Sequence, residues 1–456
     1  LSSSDEARNL FASPPRLGLA FAAMLLLLAA AALFVRLPAI VPIALLLAAP
    51  IRMPVDVGDE KAFLLVPLYG LLVSSALALA FRALRGDRLP RLPPVLGIPA
   101  ALFVGLAAVS LFWSQDVRSG TIKLAFVLFP FALLVGVLAR TPFRPWLPRA
   151  LAVTLISLAT AFALLGLWQL TTKDLFFAKD VEAANAYAGF FRVTAVFNDP
   201  SIYGRYLALA IVLLLVALWL GRVSLPLGIG VIAVLCAGLY FAYSQSSLVA
   251  LSVGVLTTTL VAADARSRRV VVVASLLLAL VAGAVVLAIS RNDPLRHVTS
   301  GRSDLVANTT QVIREHPLVG VGIGAEREAS GEEAQAEGRR LGKASHTAVL
   351  TVAAELGIVG AIVFFVFLFG AVSVFAAARA RDGALGLGLG VVFLVIFVHS
   401  IFYSGFFEDP LVWGALGVAA AARAAAQPVV AIAGPQAGST EVRPEPVGAR
   451  SRSTPA

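Results

Sequence analysis

The sequence has few charged residues and almost no cysteine. Only 14% of its 456 residues are charged, against 59% that are hydrophobic, and the mean hydropathy is +0.91. Soluble domains carry about a quarter charged residues, so this composition excludes a soluble globular protein. The single cysteine, Cys236, lies inside an apolar run, which excludes a disulfide framework and a metal–thiolate cluster.

Apolar runs of about twenty residues recur along the whole chain and predict membrane-spanning helices. In lipid only a helix satisfies the backbone hydrogen bonds of such a run internally. We therefore predict an all-α polytopic membrane protein of about 12 transmembrane helices. Run 37–51 is short and bracketed by Pro38 and Pro50, so we interpret it as half of a broken or re-entrant hairpin. The runs are 17–35, 37–51, 62–81, 92–113, 121–139, 147–170, 204–220, 223–243, 246–263, 270–290, 348–377, 384–406 and 411–426.

Arginines gather in short gaps between these runs and predict the orientation of the chain. The positive-inside rule places such gaps in the cytoplasm. Two long polar segments, 171–203 and 291–347, then lie on the outer side with the acidic gap around Asp56. Most of the net charge of +10 is therefore topological, and we expect no nucleic-acid partner. The basic gaps contain Arg82, Arg85, Arg88 and Arg91; Arg140, Arg144 and Arg149; Arg266, Arg268 and Arg269; and Arg379 and Arg381.

The alternation of apolar and polar segments also predicts the organisation of the chain. Its parts are an N-terminal polar segment (1–16), N-terminal transmembrane helices (17–170), a first extracytoplasmic loop (171–203), central transmembrane helices (204–290), a large extracytoplasmic loop with candidate catalytic residues (291–347), C-terminal transmembrane helices (348–426) and a disordered cytoplasmic tail (427–456).

Three arginines, Arg192, Arg205 and Arg302, lie where a helix meets an outer loop. Taken singly, each fits an interfacial arginine that reaches toward lipid headgroups. Several of them on the outer side oppose the positive-inside bias, and a guanidinium matches the geometry of phosphate oxygens. Together they favour an anionic ligand such as a lipid diphosphate.

Histidine is the second candidate residue type. His346 stands at the end of the large outer loop, just before a helix, and could take a proton from a hydroxyl group. We expect His316, in a turn before Pro317, to be structural, His297 to be solvated, and His399 to be a core residue.

Other polar motifs are less specific. The glycines of Gly320-Val-Gly-Ile-Gly324 are similar to a phosphate-binding loop, but neither a Rossmann strand pattern nor a P-loop lysine accompanies them. Glu355 either lies near the site or pairs with an arginine. No carboxylate or histidine cluster has the spacing of metal ligands, so we expect no metal.

At these positions the sequence resembles the O-antigen ligase and O-antigen polymerase superfamily of bacterial membrane glycosyltransferases. The resemblance covers about 192–360, and the flanking helices match only in number and hydropathy. Its motifs are Arg192 with Phe197-Asn198-Asp199-Pro200, Ser244-Gln-Ser-Ser247, Gly301-Arg302, His316-Pro-Leu-Val-Gly-Val-Gly322, and His346-Thr347 with Glu355-Leu-Gly-Ile-Val-Gly360.

The resemblance implies transfer of a glycan from undecaprenyl diphosphate to an acceptor hydroxyl at the outer face of the bacterial plasma membrane, without metal or nucleotide cofactor. The partners would be the lipid-linked donor, a glycan or lipid A core acceptor, and the bilayer. His346, Arg302 and Arg192 would be catalytic. The implied substrate-binding residues are Arg205, Asn198, Asp199, Gly301, His316 and Glu355.

This sequence departs from the family pattern at Gln245, where many members have arginine, and at Thr347, where asparagine is usual. Gln245 removes one possible cation. We expect Thr347 to alter either the orientation of the neighbouring histidine or the way the acceptor is held. Ligase and polymerase stay open as alternatives. A transporter or flippase of a lipid-linked or anionic substrate is the alternative from another class, but it predicts charged groups at mid-membrane, which are nearly absent here.

Overall fold

The computed structural model describes residues 14–57, 60–290, 302–336, 347–403 and 405–425. Most of these residues are helical, which confirms an all-α polytopic membrane protein. Several predictions lie outside the described residues, namely those for the first 13 residues, His297, Gly301, His346 and the tail 427–456.

The helices follow the apolar runs in order. The first part of the chain contains α1 (Pro14–Arg36), α2 (Val41–Ala48), α3 (Val66–Leu84), α4 (Pro94–Val109), α5 (Val117–Lys123), α6 (Phe129–Leu138), α7 (Leu147–Thr172) and α8 (Lys179–Tyr187). The second part contains α9 (Pro200–Trp219), α10 (Leu225–Ala242), α11 (Gln245–Ala262), α12 (Ala265–Ser290), α13 (Arg302–Glu315), α14 (Glu326–Ala336), α15 (Ala348–Arg381), α16 (Gly383–Phe402) and α17 (Pro410–Ala424).

Ten helical stretches of the described residues are long and apolar enough to cross a membrane. These are Leu17–Arg36, Val66–Leu84, Pro94–Trp113, Val117–Leu138, Leu147–Thr172, Pro200–Trp219, Leu225–Ala242, Gln245–Ala262, Ala348–Arg381 and Gly383–Phe402. Pro38–Ala48 and Pro410–Ala424 are shorter apolar helices. The predicted run 270–290 forms α12. Each apolar run therefore corresponds to a helix, and the number of about 12 crossings stays a prediction.

The short helix α2 begins beside arginines of the basic gaps. Val41, its first residue, lines a small pocket together with Arg82 and Arg140 from the basic gaps. We call this end the basic end. Beyond the other end of α2 the chain forms an antiparallel β-hairpin, β1 (Met53–Val57) and β2 (Glu60–Leu64), which the sequence did not predict. The interpretation of 37–51 as half of a broken or re-entrant hairpin stays a prediction, because α2 has only 8 residues.

Helix α9 lies at the centre of the bundle, with 72% of its apolar window buried. Tyr203 of α9 packs over Gly166 of α7 and Gly238 of α10, where a Cβ atom would collide with the tyrosine hydroxyl. Small residues at such contacts let helices approach closely in a membrane. The first outer loop therefore leads into a helix whose position is set by its neighbours.

The two outer polar segments are partly helical. The first contains α8, and the second contains α13 and α14, which pack against each other through Val312 and Ala329. These segments lie at the end of the bundle opposite the basic end. We call it the outer end, following the predicted orientation.

Candidate functional site

The first outer loop ends in a helix cap that positions Asp199. Its Oδ1 accepts a hydrogen bond from the backbone N–H of Ser201 at 2.6 Å, so Asp199 caps α9. Asn198 is half-buried, and its Oδ1 has no hydrogen-bond partner among the described residues. The turn thus presents a carboxylate and an amide at the outer end of the central helix.

Arg192 is held in place by three hydrogen bonds. Its backbone N–H donates to Asn185 Oδ1 at 3.0 Å, and Asn185 Nδ2 donates to its carbonyl at 3.0 Å. Its Nε donates to the carbonyl of Ala242, the last residue of α10, at 3.1 Å. Burial lowers the pKa of Arg192, and the nearby carboxylate of Asp199 opposes that change. A guanidinium stays charged at neutral pH under such a shift, so Arg192 offers a fixed, partly desolvated cation.

Tyr403, just after α16, joins this group from a distant part of the sequence. It is half-buried, its hydroxyl hydrogen-bonds to Asp199, and burial raises its pKa. Arg52, between α2 and β1, is close enough to act electrostatically on Tyr403. We call Arg52, Arg192, Asn198, Asp199 and Tyr403 the outer polar cluster.

Arg205 is engaged in a buried ion pair. Its Nη2 lies 2.8 Å from Oδ2 of Asp409, and the two side chains are 4% and 1% exposed. Asp409 also caps α17 by accepting a hydrogen bond from the N–H of Leu411 at 2.8 Å. The pair neutralises both charges and ties α9 to α17. Direct contact of Arg205 with substrate stays a prediction.

Arg302 and His346 were the other main candidates. Arg302 is the first residue of α13, but its side chain lies outside the described part of the structure, as does His346. Thr347, the residue after His346, donates from Oγ1 to the carbonyl of Ile401 at 3.0 Å. Ile401 is two residues before Tyr403, so the start of α15 is attached to the end of α16 that carries the outer polar cluster.

The glycine segment 316–324 packs into the protein as part of its framework. The N–H groups of Val321 and Gly322 donate to the carbonyls of Ala354 and Glu355, each at 2.9 Å. These donors are therefore not free to bind a phosphate. We call segment 316–324, together with the turn of α15 that it contacts, the glycine interlock.

Gly357 makes the interlock possible by breaking α15. Its φ of +62° is unfavourable for other residues, and a Cβ atom there would collide with the backbone of Leu318. Beyond the break, the N–H of Ile358 donates to the carbonyl of Pro317 at 2.9 Å. Two motifs that are distant in sequence therefore form one packed unit.

Two predicted substrate-binding residues belong to the interlock. His316 is exposed at its start, and its carbonyl accepts the N–H of Gly320 at 3.2 Å. Glu355 is buried and pairs with Lys123, whose Nζ lies 2.9 and 3.1 Å from its carboxylate oxygens. Of the two alternatives for Glu355, pairing with an arginine is wrong, because its partner is Lys123. Beside this pair is a cavity of about 30 Å³, also lined by Thr351 and Glu408.

Two further residues considered in the sequence are His399 and Gln245. His399 is buried, with Nε2 3.1 Å from Ser246 Oγ, as expected of a core histidine. Gln245 is exposed at the first position of α11, which Ser244 caps through the N–H of Ser247. Within the described ranges, no three His, Cys, Asp or Glu residues come close enough to hold a metal ion.

Arg52, Lys123 and Asp409 were not among the residues predicted from the sequence. Arg52 meets the criterion that selected the other arginines, because it lies on the outer side of an apolar run. Asp409-Pro410 repeats the Asp199-Pro200 pattern at a helix start, so its capping role was detectable. Lys123 carries no such pattern.

The spans, with a polar cluster at one end of the bundle, define a multi-pass membrane protein. Residues 229–365 match the family described as O-Antigen ligase, which confirms the resemblance to the O-antigen ligase and polymerase superfamily. The match includes Arg302, His346 and Glu355 but neither Arg192 nor Arg205. No curated protein sequence matches the chain. The family match supports glycan transfer at a membrane as the general function.

Proposed function

We propose that the protein is a glycosyltransferase that moves a glycan from undecaprenyl diphosphate to an acceptor hydroxyl. The acceptor is a second lipid-linked glycan in a polymerase, or a lipid A core sugar in a ligase. The outer polar cluster is the observation that carries the proposal. It combines a fixed guanidinium at Arg192 with the polar groups of Asp199 and Tyr403. Thr347, which follows His346 in the chain, is hydrogen-bonded to Ile401, two residues before Tyr403. The protein acts in the bacterial plasma membrane, with its site facing the periplasm or exterior.

His346 is the general base of this proposal. Its imidazole takes the proton of the acceptor hydroxyl while the hydroxyl oxygen attacks the anomeric carbon. The bond between that carbon and the phosphate oxygen breaks, and its electron pair leaves with undecaprenyl diphosphate. A single displacement of this kind inverts the anomeric configuration. It is metal-independent, because arginines compensate the charge of the leaving group.

Arg192 and Arg302 bind the diphosphate and stabilise the charge that grows on it in the transition state. The Nε of Arg192 donates a hydrogen bond to the carbonyl of Ala242, while its Nη atoms make no hydrogen bond within the described part of the chain. This leaves the two terminal nitrogens available for phosphate oxygens. Asn198 Oδ1 is similarly available to accept a hydrogen bond from a glycan hydroxyl.

The other predicted substrate-binding residues, Arg205, His316 and Glu355, have indirect roles in this proposal. Arg205 orients α9 and α17 through Asp409, next to the donor-binding cluster. His316 and Glu355 act through the glycine interlock, since His316 directly follows α13 and Glu355 belongs to α15.

The test uses the full-length protein in liposomes with an undecaprenyl-diphosphate-linked oligosaccharide and an acceptor glycan. His346→Ala should abolish transfer and leave donor binding intact, while His297→Ala serves as the matched control with full activity. Unchanged transfer by the His346 variant would exclude the general-base role. Loss of wild-type transfer in a chelator would contradict the metal-independent mechanism.

Arg192 is tested in the same assay with Arg192→Lys and Arg192→Ala. The lysine keeps the charge but lacks the fork of donors, so it should retain part of the activity. We expect the alanine variant to lose about 100-fold or more in kcat. Movement of the donor across the bilayer without transfer to the acceptor would replace this proposal with a transporter or flippase.

A further inference from the structure

A deep crevice opens near the basic end of the bundle, apart from the outer polar cluster. It has a volume of about 710 Å³ and lies between α2, α7, α9, α10, α16 and α17. Its walls are apolar except for Arg149, Arg222 and Ser224. Along α17 it extends from Val418 to Leu411, two residues from Asp409. The crevice is therefore an apolar space inside the spanning region with positive charge at one end.

The charge at this end is uncompensated within the described residues. Arg149, in the first turn of α7, and Arg222, between α9 and α10, are both exposed and form no salt bridge to a described residue. No acidic side chain lines the crevice. Helices α7 and α10 also begin here, and the start of a helix carries a partial positive charge. The mouth of the crevice therefore favours an anion.

We propose that this crevice binds one anionic phospholipid of the surrounding bilayer, with its phosphate at Arg149 and Arg222 and acyl chain along α9 and α17. Basic pockets between transmembrane helices on the cytoplasmic side recognise such headgroups. The volume falls in the range of about 300–1,000 Å³ that is typical of ligand sites. The apolar walls provide no partners for a sugar or a nucleotide, whereas an acyl chain needs none.

The position of the crevice gives the lipid a structural effect. It separates the basic-end half of α9 from the stretch Leu411 to Val418 of α17, while Arg205 and Asp409 join the outer ends of the same helices. An acyl chain in the crevice contacts both helices where they do not contact each other. The bound lipid stabilises this helix arrangement, and this inference does not depend on the glycan-transfer function.

Lipid binding is measured by native mass spectrometry of the delipidated full-length protein. The probes are the anionic dioleoylphosphatidylglycerol and the zwitterionic dioleoylphosphatidylcholine, with undecaprenyl phosphate as competitor. Wild type should bind one phosphatidylglycerol in preference to phosphatidylcholine. Each arginine near a membrane surface changes affinity for anionic lipid about fivefold, so Arg149→Gln/Arg222→Gln should weaken binding about 25-fold.

Two further variants complete the design. Arg144→Gln/Arg269→Gln removes the same charge from the basic end outside the crevice and should bind phosphatidylglycerol like wild type. Ala152→Phe/Ala217→Phe fills the crevice and should lose binding of both phospholipids.

Equal wild-type binding of the two phospholipids would overturn the proposal, as would equal loss in the two arginine double variants. Displacement of phosphatidylglycerol by equimolar undecaprenyl phosphate would assign the crevice to a polyprenyl chain instead. If the filled variant does not fold, the arginine variants still decide the outcome.

Discussion

The two ends of the bundle use arginine in opposite ways. At the basic end, Arg144, Arg149 and Arg222 are exposed to the surroundings. At the outer end, Arg205 is only 3% exposed and pairs with Asp409, while Arg192 is half-buried and held by Ala242. An exposed arginine costs little and can set orientation. A desolvated one persists only with partners that the fold supplies, so its position carries information about function.

The largest expected effect is the destabilisation caused by breaking a buried ion pair, compared with breaking an exposed one. Asp409→Ala leaves Arg205 buried without its partner and should lower the free energy of unfolding by about 3–5 kcal/mol. Asp87→Ala breaks the 2.9 Å pair with Arg82 near the basic end, where Asp87 is 44% exposed. That change should cost about 1 kcal/mol or less. Thermal unfolding of both variants in detergent measures the difference, and equal effects would remove the contrast between the ends.

The next effect concerns the glycine interlock. Gly357→Ala places a Cβ atom against the Leu318 backbone at a φ of +62° and should destabilise the protein by about 2–4 kcal/mol. Gly105 of α4 has open space around it, so Gly105→Ala should be neutral or slightly stabilising. Chemical unfolding compares the two variants. A neutral Gly357→Ala would show that α15 needs no break there.

A smaller effect tests the outer polar cluster itself. Tyr403→Phe removes the hydroxyl that hydrogen-bonds to Asp199 and should cost about 1–2 kcal/mol of stability. It should also raise the KM for the lipid-linked donor, because Asp199 and Arg192 lose a neighbour. Tyr187 is 94% exposed, so Tyr187→Phe is the control and should change neither quantity. A Tyr403 variant with wild-type stability and KM would exclude this residue from the cluster.

The smallest effect belongs to a partly buried helix cap. Asp116 caps α5 by accepting the N–H of Ser119 at 2.9 Å, and its hydrogen bonds with Ser119 lower its pKa below the usual 3.8. Asp116→Ala should cost about 1 kcal/mol at neutral pH. Because the folded-state pKa is lowered, this stability is complete above about pH 4 and disappears as pH falls through the lower value. Unfolding of both proteins across this range should converge in acid, and a constant difference would contradict the pKa shift.

Much of the fold follows from local sequence. Each apolar run corresponds to a helix, because hydrophobicity over about twenty residues is sufficient to specify a span. The cap at Asp199 was predictable for the same reason, since the residues involved are adjacent in the chain. The hairpin before α3 was not predictable. Its strands show no uninterrupted alternation of apolar and polar residues that distinguishes them from the neighbouring apolar runs.

The site depended more on distant contacts. Arg192 was identified by its position against the positive-inside bias, but its anchor Ala242 is 50 residues away. Glu355 was recognised as a candidate, whereas its partner Lys123 is 232 residues away and could not be named. Ion-pair partners on different helices are selected by packing, and no local pattern encodes that selection.

The sequence by itself determined that this protein crosses a membrane many times, which end of the bundle is basic, and which outer arginines oppose that bias. These properties depend on transfer of short segments from water to lipid, so local composition decides them. Only the tertiary structure decided that Arg205 is neutralised by Asp409, that Arg192 stays available beside Tyr403, and that the glycine segment serves packing. The physical reason is that burial and pairing of a charge depend on which helices meet, and that is a property of the assembled bundle.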